Sequence, residues 1–449
     1  MGSTVGKFFV QNFGCRAAQA DGAALVSSLA AGGLSQAGKR SAADLVVLNT
    51  CTVTVSADED VRQTIRRVHR ENPAARILVT GCYAQRAPHE LARLPGVEWV
   101  VGNSHKHAIP ELIALAPAGA PYHGNVFVGD IHVGDIFAQH SFLSAPVEDA
   151  AGDRTRPNLK IQDGCNNRCS FCIIPFVRGR SRGMPADEVV AQVGRLASRY
   201  REVVLTGINL GRWGREPGST LRLAGLLRRL LDETAIERLR LSSVEPMDFS
   251  DELLELMAAS DRIAPHVHAP LQSGSDRILR LMHRKYRPRH YADRLLKARR
   301  LMPDAAIGAD VMVGFPGETD ADFEESCQFI DQLPFTYLHV FTYSERPGTP
   351  AAEDPLAVPM AVRKERNRGL RELGERKNRE FRQRMVGRTL SAVTLHEPGA
   401  ALTGNYLKVQ LASLRGPNLM ADLRIGGLTK DGLREAGPLS EFSQQVPGF

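Results

Sequence analysis

The chain has 449 residues, enough for about three domains with separate cores, and its 43% hydrophobic and 24% charged content is typical of a soluble protein. No apolar run is long enough for a signal or transmembrane segment, so we exclude a membrane partner and expect a cytoplasmic protein with reduced cysteines. The formal net charge of +7 favours a polyanionic partner.

The N-terminal region alternates short apolar runs with helix-length segments. This rhythm predicts a parallel α/β sheet domain over residues 1–118. A linker rich in Gly, Pro, Ala and Asp follows over residues 119–153. The predicted strands of this domain are the apolar runs 8–10, 45–48, 77–79 and 97–101.

Three cysteines of this region occupy the same position, at the start of the turn after a predicted strand. They are Cys15, Cys51 and Cys82, called here the N-terminal trio. The carboxyl ends of parallel strands share one edge of a sheet, and helix N-termini there favour thiolates. A single cysteine so placed would be interpreted as a core residue, whereas three favour an iron–sulfur site.

A second set of cysteines follows the strand-like run 159–162 at C-x3-C-x2-C spacing. These are Cys165, Cys169 and Cys172, called here the loop trio. A loop of this length can hold three irons of a four-iron cube and leave the fourth iron open. Zinc would need a fourth ligand, and the nearest downstream histidine is His266. A zinc site and three structural thiols are the alternatives.

The strand and helix rhythm returns over residues 154–380 and predicts a partial (βα)6 barrel with its site at the strand carboxyl ends. Polar or glycine-rich loops after the strands outline a nucleoside-sized pocket. His266 and His268 are candidate ligands or proton carriers, or residues that simply line the barrel. The pocket candidates are Gly207, Asn209, Ser243, Glu245, Gln272 and Gly314.

A basic segment leads into the C-terminal region. Residues 361–390 hold eleven Lys or Arg against four Glu, which suits a phosphate backbone or, alternatively, a solvated helix face. Residues 381–449 predict a small OB-like β-barrel from strands at 389–395, 405–412 and 421–425, which would bind RNA or serve as a structural cap. The candidate tRNA contacts are Arg376, Lys377, Arg382 and Arg384.

Taken together, these features resemble the radical S-adenosylmethionine (SAM) methylthiotransferase family over essentially the whole chain, with a C-terminal barrel of the TRAM type. The resemblance implies that the loop trio holds a SAM-cleaving [4Fe-4S] cluster and the N-terminal trio an auxiliary [4Fe-4S] cluster. It also implies SAM in the pocket of the strand-exit loops. In this family one SAM methylates sulfur associated with the auxiliary cluster, and another yields the radical that removes hydrogen from a C–H carbon.

Three motifs are most similar to the branch acting on N6-threonylcarbamoyladenosine at position 37 of tRNA. They are residues 49–54, 80–86 and 241–246. Ala18 departs from the asparagine usual in the first motif. The alternatives are isopentenyladenosine of tRNA, an aspartate of a ribosomal protein, or a zinc-bearing RNA-binding protein without catalysis. The expected partners are an anticodon loop and an electron donor such as flavodoxin or ferredoxin, with the sulfur donor not identified.

Overall fold

The computed structural model describes residues 6–115, 129–139, 142 and 155–437. Most of the predicted linker and the C-terminal end lie outside these residues. Within them the chain forms a parallel sheet, a second α/β part and a closed β-barrel, which confirms the predicted fold class. No described helix has the length and apolar character needed to cross a bilayer.

The N-terminal part is a six-stranded parallel sheet in the order β2-β1-β3-β4-β5-β6. Its central strand β3 is buried along its whole length, which explains its continuous apolar sequence. The strands are β1 Lys7–Asn12, β2 Ser35–Gln36, β3 Leu45–Thr50, β4 Arg76–Gly81, β5 Val97–Gly102 and β6 Asp130–His132. The helices are α1 Arg16–Ala31, α2 Val55–Glu71, α3 Cys82–Arg86, α4 Pro88–Ala92 and α5 Ile109–Leu115. The sequence did not predict edge strand β2, which is too short to carry a pattern, whereas β6 lies in the linker, where a strand or two was allowed for.

The second part contains the six predicted parallel strands in two groups. With the short antiparallel β8 there are seven strands in the described residues of this part. They are β7 Asn158–Asp163, β8 Arg182–Gly183, β9 Glu202–Gly207, β10 Arg238–Leu241, β11 His266–His268, β12 Ala306–Val313 and β13 Tyr337–Thr342. One sheet has the order β10-β9-β7-β8 and the other β11-β12-β13. A bridge between Leu239 and Ile263 connects them beside β10. The short antiparallel β8 was not predicted.

Helices pack on the outside of these strands. They are α6 Ile174–Arg178, α7 Ala186–Ala197, α8 Leu223–Glu233, α9 Asp251–Ala259, α10 Asp276–Leu281, α11 Pro288–Leu301 and α12 Asp320–Gln332. Alternate strand residues such as Leu239, Val267 and Ala309 belong to the apolar core beneath these helices. Because successive side chains of a strand point to opposite faces, their neighbours Arg240, His268 and Asp310 face the interior of the partial barrel.

The last helix, α13 Met360–Met385, leads into the C-terminal barrel. Phe381 and Met385 from its end pack with Val409 and Leu423 in the core of that barrel. The barrel closes in the order β14-β15-β16-β18-β17, and β15 and β18 were not predicted. Its strands are β14 Thr389–Thr394, β15 Ala400–Thr403, β16 Lys408–Gln410, β17 Met420–Leu428 and β18 Leu433–Glu435.

Candidate active site

The N-terminal trio lies at the carboxyl edge of the first sheet. Cys15 directly precedes α1, Cys51 follows β3, and Cys82 begins α3 after β4. Gly14 has φ +90°, and a Cβ built there would lie 2.5 Å from the Cβ of Cys51, so the first loop packs directly against the second cysteine. Burial, together with the neighbouring thiols of Cys82 and Cys15, raises the pKa of the Cys51 thiol to about 12. The three sulfurs therefore share one site.

The loop trio lies on the connection from β7 to α6. The Cys165 N–H donates to the Gly179 carbonyl at 3.0 Å, which closes this connection. Gly164 has φ +70°, and a Cβ there would lie 2.0 Å from the Arg180 carbonyl oxygen, so a residue larger than glycine would open the loop. Burial raises the pKa of the Cys172 thiol to about 12, with the nearby Cys169 thiol as the next cause.

The spacing of the sulfurs distinguishes a cluster from a single metal ion. Within the described residues, only His268, Asp310 and His339 bring three His, Cys, Asp or Glu ligand atoms within 4.8 Å of one another. Neither cysteine trio is that tight. A tetrahedral zinc ion with Zn–S bonds of about 2.3 Å needs sulfurs about 3.8 Å apart. The thiols of each trio are therefore further apart than a single zinc ion requires.

Hydrogen-bond donors surround both trios. Asn103 Nδ2 lies 3.6 Å from the sulfur of Cys82, and Arg284 Nη1 lies 3.2 Å from that of Cys169. Donors aimed at ligand sulfurs stabilise their thiolate form and tune the reduction potential of a bound cluster. Both residues were missed from the sequence, because neither belongs to a recognisable pattern.

Arg178 connects the two trios. Its Nε lies 3.3 Å from the sulfur of Cys82, while its two terminal nitrogens donate to Asp21 at 2.9 Å and to Asp163 at 3.0 Å. Burial acts to raise the pKa of Asp21, but Lys106, Lys160 and Arg178 outweigh it and hold that pKa well below 3.8. Asp21 belongs to α1 of the N-terminal part and Asp163 to β7, so this ionised network holds the first sheet against the partial barrel. Sequence reasoning also missed this network.

Two of the predicted SAM contacts lie beside the loop trio. Asn209 is buried with its Nδ2 at 3.7 Å from the Cys165 sulfur, and its Oδ1 has no hydrogen-bond partner among the described residues. An unpaired buried amide oxygen can accept a hydrogen bond from water or from a bound molecule. Glu245 pairs with Arg284, the residue that also contacts Cys169. A polar molecule between these groups would lie next to the loop trio.

The other predicted SAM contacts occupy the same rim of the barrel. A Cβ at Gly207 would lie 2.8 Å from Gln162 Oε1, so glycine permits the close approach of β9 to β7. The Gly314 N–H donates to Glu318 Oε2 at 2.6 Å, and the Gln272 N–H donates to the Asp310 carbonyl at 2.8 Å. The two backbone donors are therefore already engaged. Ser243 is half-buried on the loop after β10.

The four predicted tRNA contacts on α13 divide into two pairs. Lys377 is buried and donates to the carbonyls of Asp331 and Leu333. Arg382 is also buried and donates to carbonyls in the β17–β18 connection. Arg376 and Arg384 are exposed, although Arg376 is paired with Asp331 at 2.7 Å. The two buried side chains therefore fix α13 in place instead of facing a solvent-borne phosphate.

The barrel interior is polar. The hydroxyl of Tyr337 contacts His266 Nε2 at 2.7 Å and His268 Nδ1 at 2.8 Å. The Asp310 carboxylate lies 3.2 Å from both His268 and His339. Both candidate histidines thus have hydrogen-bond partners inside the partial barrel. Cys327 packs against the outer core.

Comparison with known proteins shows which families share this fold. Residues 7–102 match the uncharacterized protein family UPF0004, and residues 159–330 match the radical SAM superfamily. The radical S-adenosylmethionine methyltransferase TsrM from Kitasatospora setae superposes with a TM-score of 0.57 at 17% identity, covering 78% of this chain and 75% of that one. That likeness shows a shared fold. The fold and the loop trio define a radical SAM enzyme.

Curated relatives show to which group of radical SAM enzymes this chain is similar. The threonylcarbamoyladenosine tRNA methylthiotransferase MtaB of Aquifex aeolicus is 38% identical over 90% of this chain and 96% of the relative. The MtaB of Bacillus subtilis is 41% identical over 78% and 76%. The tRNA-2-methylthio-N(6)-dimethylallyladenosine synthase of Novosphingobium aromaticivorans is 34% identical over 96% of each chain. The chain belongs to the radical SAM tRNA methylthiotransferases, which use SAM and [4Fe-4S] clusters, as the sequence resemblance predicted.

Proposed function

We propose that this enzyme installs a methylthio group at C2 of N6-threonylcarbamoyladenosine at position 37 of tRNA. The polar wall formed by Tyr337, His268, Asp310 and His339 is the observation that supports this nucleoside. A threonylcarbamoyl group carries a carboxylate, a hydroxyl and a urea, which hydrogen-bond to such a wall. An isopentenyl group offers these side chains no hydrogen-bonding atom, so it would gain nothing from the polar wall.

In this proposal the loop trio holds the SAM-binding cluster and the N-terminal trio the auxiliary cluster. With SAM bound, the two clusters would supply a 5′-deoxyadenosyl radical and a methylated sulfur. The chain itself positions them. Arg178 contacts Cys82 from the helix that follows the loop trio, which keeps the two sites on one side of the barrel interior. Asn209 and Glu245 would orient SAM beside Cys165 and Cys169.

The barrel interior can receive a nucleoside that has left its stack. Bases of an anticodon loop are single-stranded, so turning one into a pocket costs only a few kcal/mol. Arg384 and Arg376 on the exposed face of α13 are the proposed phosphate contacts of the predicted set, because Lys377 and Arg382 donate to backbone carbonyls. The C-terminal barrel would extend this RNA-binding surface.

A tRNA substrate would place the enzyme in the cytoplasm. The reductive step requires a low-potential electron donor, for which a flavodoxin or ferredoxin is our proposal. Cys15 is the exposed cysteine of the N-terminal trio, so a sulfur donor would approach the trio at this residue.

Nucleoside analysis tests the proposal. Total tRNA from a strain lacking the gene should contain N6-threonylcarbamoyladenosine without its 2-methylthio derivative, and a plasmid copy of the gene should restore that derivative. A Cys165→Ala copy is the matched control and should restore nothing. An unchanged methylthio-threonylcarbamoyl peak in the deletion strain, with loss of the methylthio-isopentenyl peak, would assign the enzyme to the other nucleoside.

A further inference from the structure

The Arg16 side chain lies where the three parts of the chain meet. Arg16 is the first residue of α1 and directly follows Cys15 of the N-terminal trio. Its Nη2 donates to the hydroxyl of Tyr406 at 2.9 Å, and its guanidinium carbon lies 5.6 Å from the centre of that ring. Tyr406 belongs to the turn between β15 and β16 and has φ +64°. The C-terminal barrel thus contributes a side chain that contacts the N-terminal part next to Cys15.

The neighbours of Tyr406 show which space Arg16 faces. The Tyr406 ring stacks on His266 with centroids 4.6 Å apart, and it lies 5.9 Å from the ring of Tyr337. Both residues are on strands of the partial barrel and face its interior, because Val267 between the histidines packs into the outer core. Arg16 therefore extends from the N-terminal trio into the barrel interior.

Arg16 differs from the other cations of this interior in having no carboxylate partner. Arg156, Arg238 and Arg240 all pair with Glu202. Lys160 pairs with Asp21 and Asp163. Across the described parts of the chain, Arg16 makes no ion pair; its hydrogen bond goes to a neutral hydroxyl.

Nearby titratable groups do not balance this charge. Burial lowers the pKa of His266 well below 6.5, with Arg240 and Arg16 as further causes, so His266 is neutral. The Asp310 carboxylate is held between His268 and His339. A half-buried guanidinium without an anion is a site for an anionic group on a bound molecule.

We propose that Arg16 binds the carboxylate of the threonylcarbamoyl group and thereby selects this nucleoside. This inference rests on the proposed function. In adenine, C2 and N6 flank N1 on the same edge of the base, so a residue beside the sulfur-donating cluster is also beside the N6 substituent. The planar guanidinium matches a carboxylate, whereas an isopentenyl group offers it no partner.

Synthetic anticodon stem-loops test the inference with the anaerobic holoenzyme. One carries N6-threonylcarbamoyladenosine, the second carries its neutral carboxamide, and the third carries N6-isopentenyladenosine. Binding by fluorescence anisotropy and kcat/KM are measured for each. The wild type should prefer the acid over the carboxamide by about 10- to 100-fold in both quantities. Arg16→Gln should bind and convert the acid and the carboxamide stem-loops equally, at the level that the wild type shows on the carboxamide. Arg16→Lys should keep part of the preference for the acid.

Arg195→Gln, an exposed arginine on α7, is the matched control and should behave as the wild type. If Arg16→Gln keeps the preference for the acid, or loses both stem-loops equally with its iron content intact, the inference is overturned. If Arg16→Gln loses iron, Tyr406→Phe takes its place. That variant removes the hydroxyl that positions Arg16 and should lower the preference at least about threefold, and an unchanged preference would refute the role.

The wild-type results separate this inference from the proposed function. Equal activity on the acid and the carboxamide would contradict the role of Arg16 alone. Activity on the isopentenyl stem-loop and on neither threonylcarbamoyl stem-loop would contradict the proposed function, and the role of Arg16 with it.

Discussion

Arg178 and Cys82 are in contact, with the arginine Nε at 3.3 Å from the sulfur. The arginine belongs to the helix after the loop trio, and the cysteine to the N-terminal trio. The same guanidinium pairs with Asp21 and Asp163, so one side chain carries charge balance for both parts of the site. The N-terminal trio is therefore held against the segment that contains the loop trio.

This contact predicts that Arg178→Gln separates the two half-reactions. The variant removes the cation that joins Cys82 to Asp21 and Asp163 and leaves Lys160 as the cation those two carboxylates share, while the loop trio keeps its own ligands. We expect SAM cleavage to 5′-deoxyadenosine to persist and the ratio of methylthiolated product to 5′-deoxyadenosine to fall at least about tenfold, which is 1.4 kcal/mol. Both products are counted by mass spectrometry. An unchanged ratio would show that Arg178 does not position the N-terminal site.

The two cysteine trios predict that the bound iron is divided between two separate sites. Cys15→Ala and Cys165→Ala should each lose about half of the iron of the anaerobic protein and all methylthiolation, because each removes a ligand from a different cube. Cys327→Ala is the matched control, since Cys327 lies on α12 against the outer core and should keep its full iron content. Equal and complete iron loss in both trio variants would indicate a single shared site.

The unpaired oxygen of Asn209 predicts a SAM contact. Asn209→Ala removes a buried acceptor close to Cys165, so the KM for SAM should rise about fivefold, in line with one lost hydrogen bond of about 1 kcal/mol. Iron content should not change. The measurement is the SAM dependence of 5′-deoxyadenosine formation, and a lower kcat at constant KM would argue against this contact.

The buried carboxylate of Glu202 predicts a large effect on stability. Burial acts to raise its pKa, but Arg240, Arg156 and Arg238 lower it from 4.5 to about 2. Glu202→Gln leaves three buried guanidiniums without an anion and should lower the free energy of unfolding in urea by about 3 kcal/mol. Glu233→Gln, whose carboxylate pairs with Arg229 at the surface, should change the free energy of unfolding little.

The sign of the pKa shift fixes the pH range for that comparison. The Glu202 pKa is lower in the folded protein, so ionised Glu202 contributes its full stability above pH 4.5 and loses it as the pH falls towards 2. Between pH 5 and 8 the difference between wild type and Glu202→Gln should be constant. A difference that varies within this range would mean that another group is titrating.

The two classes of basic residues on α13 predict different RNA-binding phenotypes. Arg384→Ala removes an exposed charge, so tRNA should bind more weakly and the slope of log K against log salt should fall by about 1. Lys377→Ala removes donors to two buried carbonyls and should lower the melting temperature without changing that slope. Filter binding at several salt concentrations measures the slope. The same slope for Arg384→Ala and wild type would place the RNA elsewhere.

The sequence alone determined the order of the three parts, most of the inner strands and the grouping of six cysteines into two trios. Long apolar runs mark strands that are buried on both faces, and a cysteine at the exit of such a strand has a fixed place at the sheet edge. Edge strands β2, β6 and β8 carried no such pattern, because two or three residues show no periodicity.

Only the tertiary structure decided what surrounds the trios. Asp21 and Arg178 come together from separate segments, as do Arg284 and Glu245, and an isolated charged residue in a sequence does not reveal its partner. The same reason separates Lys377 and Arg382 from Arg384, since a helical charge pattern does not state which side is buried. The role proposed for Arg16 rests on its contact with Tyr406. The two residues are far apart in the sequence, and only packing brings them together.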